Sequence, residues 1–481
     1  MRSIPAAARV KSGAARSTRK ALMSFAAIGF CGFLLSGCAS VPEVSPAIGH
    51  TAVAQKPNIV TRSRALSSVE IKAVVAGLTL APGDNALLRH HLAIEQAVAD
   101  APLVAGETTH ILRDGPATFR AMFAAIRSAK RRIDLEYYIF ENVESDGVHL
   151  GDLLLAKRAE GVAVNIIYDD YGSGSTPQAF LEQLKAAGCH LVEFNPLNPL
   201  KAKAGWKPNS RDHRKILVVD GATAIVGGIN LATEYQSNPI GKSGNSNEQA
   251  GLHWRDTDLV VTGPAVAQLE KLFEDHWNIQ QGPPLAELEK TPPVPGQTGN
   301  AVVRFVGSAP GRDKPHYYVT LISSMRSAEK SITASAAYFV PTKDERRALM
   351  DASRRGVDVT LILPDKSDSG LSIAVAHSHY GKLLRAGVKI YETHGIVLHS
   401  KTVAVDGVWS MIGSSNFDHR SVVFNDEVDA VVIGSQTADE LDAIYAQDRA
   451  TATQVDYQAW KHRPLGAKFK EMFASLLQNF L

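Results

Sequence analysis

The chain repeats itself, and the repeat restricts the folds open to it. GVAVNIIYDD at 161–170 aligns with GVDVTLILPD at 356–365, and AAGCHLVEF at 186–194 with RAGVKIYET at 385–393. DHRKILVVDG at 212–221 aligns with LHSKTVAVDG at 398–407, AIVGGIN at 224–230 with SMIGSSN at 410–416, and RDTDLVVTG at 255–263 with DEVDAVVIG at 426–434. The offset stays near 186–200 and then falls to 171, so the first copy holds about 15 extra residues. They are the polar, glycine-rich stretch at 237–251. Self-similarity on this scale means one structural unit used twice.

Each copy alternates short β-branched runs, which read as strands, with segments of helical apolar spacing such as 119–132 and 319–331. The predicted fold is α/β: two repeats, each a mixed β-sheet flanked by helices, packed about a pseudo-twofold axis. Equivalent loops then meet at one cleft. The first repeat is assigned to 108–281 and the second, with a C-terminal helix, to 301–481. A proline-rich linker at 282–300 separates them. Residues 38–107 are expected to be a tether, over 39–60, and a helical segment near 85–102.

Both copies carry His-x-Lys-x-x-x-x-Asp followed by Gly-x-x-Asn: His213, Lys215, Asp220, Gly227 and Asn230, then His399, Lys401, Asp406, Gly413 and Asn416. On a strand, residues two apart face the same side, so each His and Lys should point together. Two imidazoles, two ammonium groups and two carboxamides around one cavity suit a phosphodiester. A neutral imidazole can attack phosphorus and form a phosphohistidine. A protonated one can donate to the leaving oxygen, since histidine reaches either state near neutrality. The lysines and asparagines, with Ser414, can bind the non-bridging oxygens. The repeat alignment pairs Asp256 with Glu427 as carboxylates that orient the histidines. It leaves open whether each serves its own copy or the other. Asp220 and Asp406 end strands and read as fixing the loop behind the motif. His90 and His91 do not share a helix face, and no Cys/His cluster has ligand spacing, so no metal is expected.

The amino terminus is an address. Residues 1–20 carry six positive charges and no acidic residue, and the apolar run ALMSFAAIGFCGFLL follows at 21–35, too short to span a bilayer. The run ends Leu35-Ser36-Gly37-Cys38, which resembles the bacterial lipobox. That resemblance implies a signal peptide at 1–37 and a diacylated Cys38 as the membrane anchor. Ala39 favours outer-membrane sorting, by analogy with diderm bacteria. Cys189 is then the one unmodified cysteine of the mature chain, which excludes an internal disulfide. Removing the six charges turns a formal +2 into −4. That argues against a nucleic acid partner, which needs a broad basic surface.

The residues resemble the phospholipase D superfamily, with its paired HKD motifs, over roughly 108–480. LEYYIF at 135–140, WRDTDLVVTGPAV at 254–266, YFVP at 338–341 and IGSSNFDHRS are similar to the bacterial cardiolipin synthase branch. The resemblance implies transfer of a phosphatidyl group from one phosphatidylglycerol to another, releasing glycerol, with no cofactor. It makes His213 the nucleophile and His399 the acid/base. The alternatives are a hydrolytic phospholipase D, a nuclease using the same residues, and a lipid-binding scaffold. Gly228 departs from the Ser common in the wider superfamily, whereas Ser414 and Ser415 keep it.

Four further features carry expectations. The loop 195–211 mixes Lys201, Lys203, Lys207 and Arg211 with Leu197, Leu200 and Trp206, and reads equally as a lipid-facing or a solvated loop. Arg214 and Arg255 read as phosphate contacts or surface ion pairs. The amphipathic pattern at 466–481 is expected to pack on the second repeat, with a membrane surface as the alternative. Stretch 237–251 reads as a lid over the acceptor site. Tyr138 and Tyr338 occupy matching strand ends and read as cleft lining or core.

Overall fold

A computed structural model describes residues 41–44, 58–61, 64–78, 85–98, 101–202, 206–236, 253–286, 299–311 and 315–481. A short strand, Ile59–Val60 (β1), precedes the first repeat. That repeat contributes Leu103–Arg113 (β2), Arg132–Tyr137 (β3), Ala163–Asp169 (β4), His190–Phe194 (β5), Lys215–Val219 (β6), Thr223–Gly227 (β7) and Thr257–Thr262 (β8). The second contributes Ala301–Ser308 (β9), Ser331–Ala336 (β10), Asp358–Pro364 (β11), Lys389–Thr393 (β12), Lys401–Val405 (β13), Trp409–Gly413 (β14) and Glu427–Ile433 (β15), and Ala452–Gln454 (β16) follows.

These strands form one 16-stranded sheet. Its order from the seam outward is β2-β8-β7-β6-β3-β4-β5 on one side and β9-β15-β14-β13-β10-β11-β12-β16 on the other. The first seven strands of the two runs match one for one, with β16 added at the outer edge of the second, which gives the pseudo-twofold relation. The seam is an antiparallel pairing of β2 with β9, with β1 added parallel to β2. The fold is therefore the mixed α/β, two-repeat architecture that the sequence predicts.

Strand order follows from local chemistry. β3, β4 and β5 run parallel, as do β10, β11 and β12, because helices return the chain between them. β6–β7 and β13–β14 are hairpins. Their turns place Asp220 and Gly221 at φ 52° and 63°, and Asp406 and Gly407 at 56° and 67°. Asp-Gly is the pair that tolerates two successive left-handed residues. One face of each sheet packs against the other repeat, through Ile216, Val218, Val226 and Leu259 on one side and Ala404, Ile412, Val428 and Ala430 on the other. The outer faces are covered by helices, including Asp114–Ser128 and its counterpart His316–Ser327.

Several expectations shift here. Both predicted helices stop early, at Ser128 and Ser327, because Ala129 and Ala328 are extended (ψ 136° for each) and lead into β3 and β10. The segment read as a tether is anchored at its two described ends. Val44 and Ile59 are buried, and Arg326 donates to the Val44 carbonyl at 2.9 Å. The helix Asn85–Val98 packs on the second repeat through Leu88 and Leu92. Linker residues 282–286 and 299–300 are held, for example by Trp277 Nε1 donating to Pro283 O, and the middle of the linker lies outside the described residues. Cys38, the signal segment and the stretch 237–251 also lie outside them. Among the described residues no helix is long and apolar enough to cross a membrane.

Candidate active site

The hairpins that begin at Lys215 and Lys401 bring the two motifs together where the faces of the two repeats pack. Each histidine sits just before its strand, on extended chain tied to the opposite repeat. The His213 N–H donates to Asp426 O at 2.9 Å, and the His399 N–H donates to Arg255 O at 2.7 Å. This corrects the simple picture of His and Lys alternating along one strand. Each Lys Nζ instead curls back on its own motif, donating to the carbonyl of His213 or of His399 at 2.5 Å.

The carboxylates are exchanged between repeats. His213 Nδ1 lies 2.9 Å from Glu427 Oε2, and His399 Nδ1 lies 2.8 Å from Asp256 Oδ2. A carboxylate at Nδ1 fixes the proton there and leaves Nε2 with its lone pair. Glu427 is further held by the hydroxyls of Ser414 and Ser421, at 2.6 and 2.8 Å, and by Asn425 Nδ2 at 3.2 Å. Asp256 accepts from the Thr257 N–H at 2.7 Å and from the Tyr235 hydroxyl at 3.5 Å. The Tyr235 oxygen also lies 2.9 Å from His399 Nδ1.

Burial sets the protonation states. It lowers both imidazoles, His399 to about 4 with help from the Lys401 charge. At His213 the Glu427 charge opposes the shift without reversing it. Burial also lowers Lys215 to about 7 and depresses Lys401. At Glu427 burial acts upward, but His213, Lys215 and Ser414 outweigh it, so this carboxyl stays below its usual range. The site thus holds two neutral imidazoles beside two poorly solvated lysines, an environment suited to a phosphate anion. Tyr138 stands edge-on to His213 at 5.4 Å and Tyr338 edge-on to His399 at 5.6 Å, which makes both of them cleft lining. Trp254 covers His399 at 4.9 Å.

Not every predicted residue joins the cleft. Asn230 does, through its hydrogen bond with Tyr235, while its Oδ1 accepts from the Ile139 N–H; Asn416 is buried with its Oδ1 unpartnered. Ser414 is corrected from phosphate binding, since its hydroxyl is committed to Glu427 and accepts the Val428 N–H at 2.9 Å. Asp220 and Asp406, the acids that close the two motifs, lie at the far ends of β6 and β13, roughly 16 Å away for five strand residues. Asp220 accepts the N–H groups of Lys130, Arg131 and Arg132, and Asp406 those of Glu329, Lys330 and Ser331. Both therefore anchor the strand that enters the sheet beside the motif.

Arg214 and Arg255 are neither phosphate contacts nor surface pairs. Arg214 is buried with Glu136 at 3.1 Å and Asp426 at 3.5 Å, and Arg255 with Asp448 at 3.0 Å and Asp114 at 3.3 Å. Glu136, Asp212 and His276 could bring three ligand atoms within 4.8 Å of one another. Arg214 already shares Glu136, so a cation is present without a metal. Sequence reasoning missed Tyr235, which lies five residues past Asn230 and outside the aligned blocks. It also missed His91, whose Nε2 meets Asp406 Oδ2 at 3.0 Å. The signal for His91 was its place among Leu87, Leu88 and Ile94 on the apolar face of its helix.

The family described as "Cardiolipin synthase, PLD-like domain" matches residues 122–277 and 321–449. The chain is 33% identical over 409 residues to a cardiolipin synthase of Geobacillus kaustophilus, covering 85% of this chain and 78% of that one. It is 34% identical over 378 residues to cardiolipin synthase 2 of Bacillus cereus, covering 78% and 70% respectively. The fold is similar to the phosphatidylserine synthase of Haemophilus influenzae, at a TM-score of 0.59 and 13% identity, over 80% of this chain and 99% of that one. Paired motifs on matched hairpins, the sheet that joins them and these relatives lead to one conclusion: the chain belongs to the phospholipase D-like cardiolipin synthase family.

Proposed function

We propose that the protein is a phosphatidyltransferase of the cardiolipin synthase type, acting through a covalent phosphohistidine. The observation that carries the reading is the pair of imidazoles in one cleft, each with Nδ1 held by a carboxylate of the opposite repeat. In the first step His213 Nε2 attacks the phosphorus of phosphatidylglycerol. The bond from phosphorus to the headgroup glycerol oxygen breaks, and His399 gives that oxygen a proton, so glycerol leaves. In the second step a headgroup hydroxyl of another phosphatidylglycerol attacks phosphorus. His399 takes its proton, the P–N bond breaks, and cardiolipin is released. Lys215, Lys401 and the two asparagines hold the non-bridging oxygens while negative charge builds on them.

One contact supports the division of labour. Lys401 Nζ lies 2.9 Å from His399 Nδ1 and 3.3 Å from Nε2, so its charge disfavours the protonated imidazole and makes it a readier proton donor once charged. Both lysines bond the carbonyl of their own histidine, and the ring contacts of Lys401 come in addition. The substrate's anionic charge is expected to raise His399 from about 4 so that it can serve as an acid. The proposed setting is the periplasmic side of a diderm membrane, with lipidated Cys38 as anchor.

The test supplies purified protein with labelled phosphatidylglycerol in mixed micelles, with chelator present. Cardiolipin with free glycerol is the expected result. Phosphatidic acid alone would replace the reading with hydrolysis, and no turnover of lipid by folded protein would overturn it.

A further inference from the structure

The C-terminal helix Leu465–Ser475 is inside out. Its inward face is Ala467, Glu471 and Ala474, of which Glu471 and Ala474 are buried. Its apolar residues look outward instead: Leu465 is 71% exposed, Phe469 58%, Phe473 62% and Leu476, just past the helix end, 71%. With Met472, half exposed, they form a single stripe at i, i+4, i+7, i+8 and i+11. A stripe of this kind normally faces a core. Lys468 and Lys470 flank it on either side at helical spacing, and exposed Lys461 precedes it.

The helix also has a definite place. Ala474 and Leu481 pack beside Val340, Ala374 and Val375, so the carboxyl end of the helix lies next to the strand end that carries Tyr338. The Arg420 N–H donates to the Leu481 carbonyl, and the Arg420 side chain reaches Asn209, four residues before His213. On the first-repeat side of that link, Leu200 is 94% exposed and Leu197 more than half exposed.

We infer that this outward stripe, with Leu197 and Leu200 across the cleft, seats the catalytic mouth on an anionic phospholipid leaflet. The choice of occupant rests on the phospholipid reading above and on the cationic flanks. Apolar residues inserted between headgroups, with lysines at headgroup level, describe an interfacial helix. A surface of this kind admits a substrate whose acyl chains never leave the membrane.

The test uses the full chain carrying Phe473→Trp and vesicles of phosphatidylglycerol and phosphatidylcholine, with and without brominated acyl chains. Blue-shifted emission and bromolipid quenching, beyond those of the parent chain, are the expected result. The control is Val69→Trp on the helix Ser68–Gly77, whose capping Leu78 carbonyl accepts the Ser435 N–H beyond the end of β15 opposite Glu427, and it should show neither. Emission of Phe473→Trp that ignores lipid would overturn the inference. So would a shift that follows protein concentration without lipid, because a second copy would then cover the stripe. Combining Phe469→Ser with Phe473→Ser should weaken vesicle association about tenfold or more and leave turnover of monomeric short-chain phosphatidylglycerol unchanged. Loss of both activities would mark a folding defect and count against the inference. Association is read without product, so failure of the transferase reading would leave it standing.

Discussion

Glu427 of the second repeat holds Nδ1 of His213 in the first at 2.9 Å, and Asp256 of the first holds His399 of the second at 2.8 Å. Neither repeat owns a complete site. Glu427→Gln keeps the shape and removes the charge that fixes the Nδ1 proton and stabilises an imidazolium. The expected loss in kcat is roughly 10²–10⁴-fold, with little change in KM. Asp256→Asn should act likewise through His399. A loss below tenfold in both variants would mean that the carboxylates only pack.

The two histidines should separate by leaving group. A phosphatidyl ester of nitrophenol leaves without a proton, so His399→Asn should still release one equivalent of nitrophenol in a burst. His213→Asn should abolish the burst along with turnover. A burst from His213→Asn and none from His399→Asn would reverse the roles.

Gly228 stands where the second repeat has Ser414, and the two positions differ for a physical reason. A Cβ on Gly228 would lie 2.3 Å from Asp256 Oδ1, whereas Ser414 bonds the carboxylate of its own repeat at 2.6 Å. Gly228→Ser should therefore displace Asp256 and lower kcat about 10-fold or more, the scale of one charged hydrogen bond. Ser414→Ala, which removes one of several donors to Glu427, should cost less. Equal effects in a steady-state assay would contradict this asymmetry.

The repeat, the mixed sheet of each copy and the paired His, Lys and Asn residues were legible because each is a local pattern written twice. The matched acids were legible as a pair, but alignment reports equivalence and not contact, so their exchange was hidden. Ser414 looked like a free donor because Val428 and Glu427 fold onto it from another strand. The partners of Arg214 and Arg255 lie far along the chain, at Glu136 and Asp448, so their burial had no local trace. Tyr235 sits opposite Ser421, whose hydroxyl serves Glu427 as the Tyr235 hydroxyl serves Asp256, but the two residue types differ, so sequence similarity did not flag it.

His91 shows what the amino-terminal helix contributes. It is fully buried and bonds Asp406, which keeps three backbone N–H donors without it. His91→Ala should lower stability by about 1–3 kcal/mol. Melting temperature should fall while kcat per folded molecule is retained. An unchanged melting temperature would show that the helix is not anchored through this bond.

Lys215 links pH to stability in a direction that can be checked. Burial lowers its ammonium to about 7, against 10.5 when solvated. Between those values the unfolded chain binds a proton that the folded chain does not, so this group favours folding more as pH rises. Lys215→Met lacks the term. The melting temperature of the parent protein, relative to this variant, should therefore climb from pH 7 towards pH 10. A bound phosphate analogue should reverse the trend by restoring the charge on Lys215, and it should bind more weakly as pH rises above 7. A gap between the two proteins that is flat with pH would mean that Lys215 keeps its proton in the folded protein, and that the cleft is better solvated than its packing indicates.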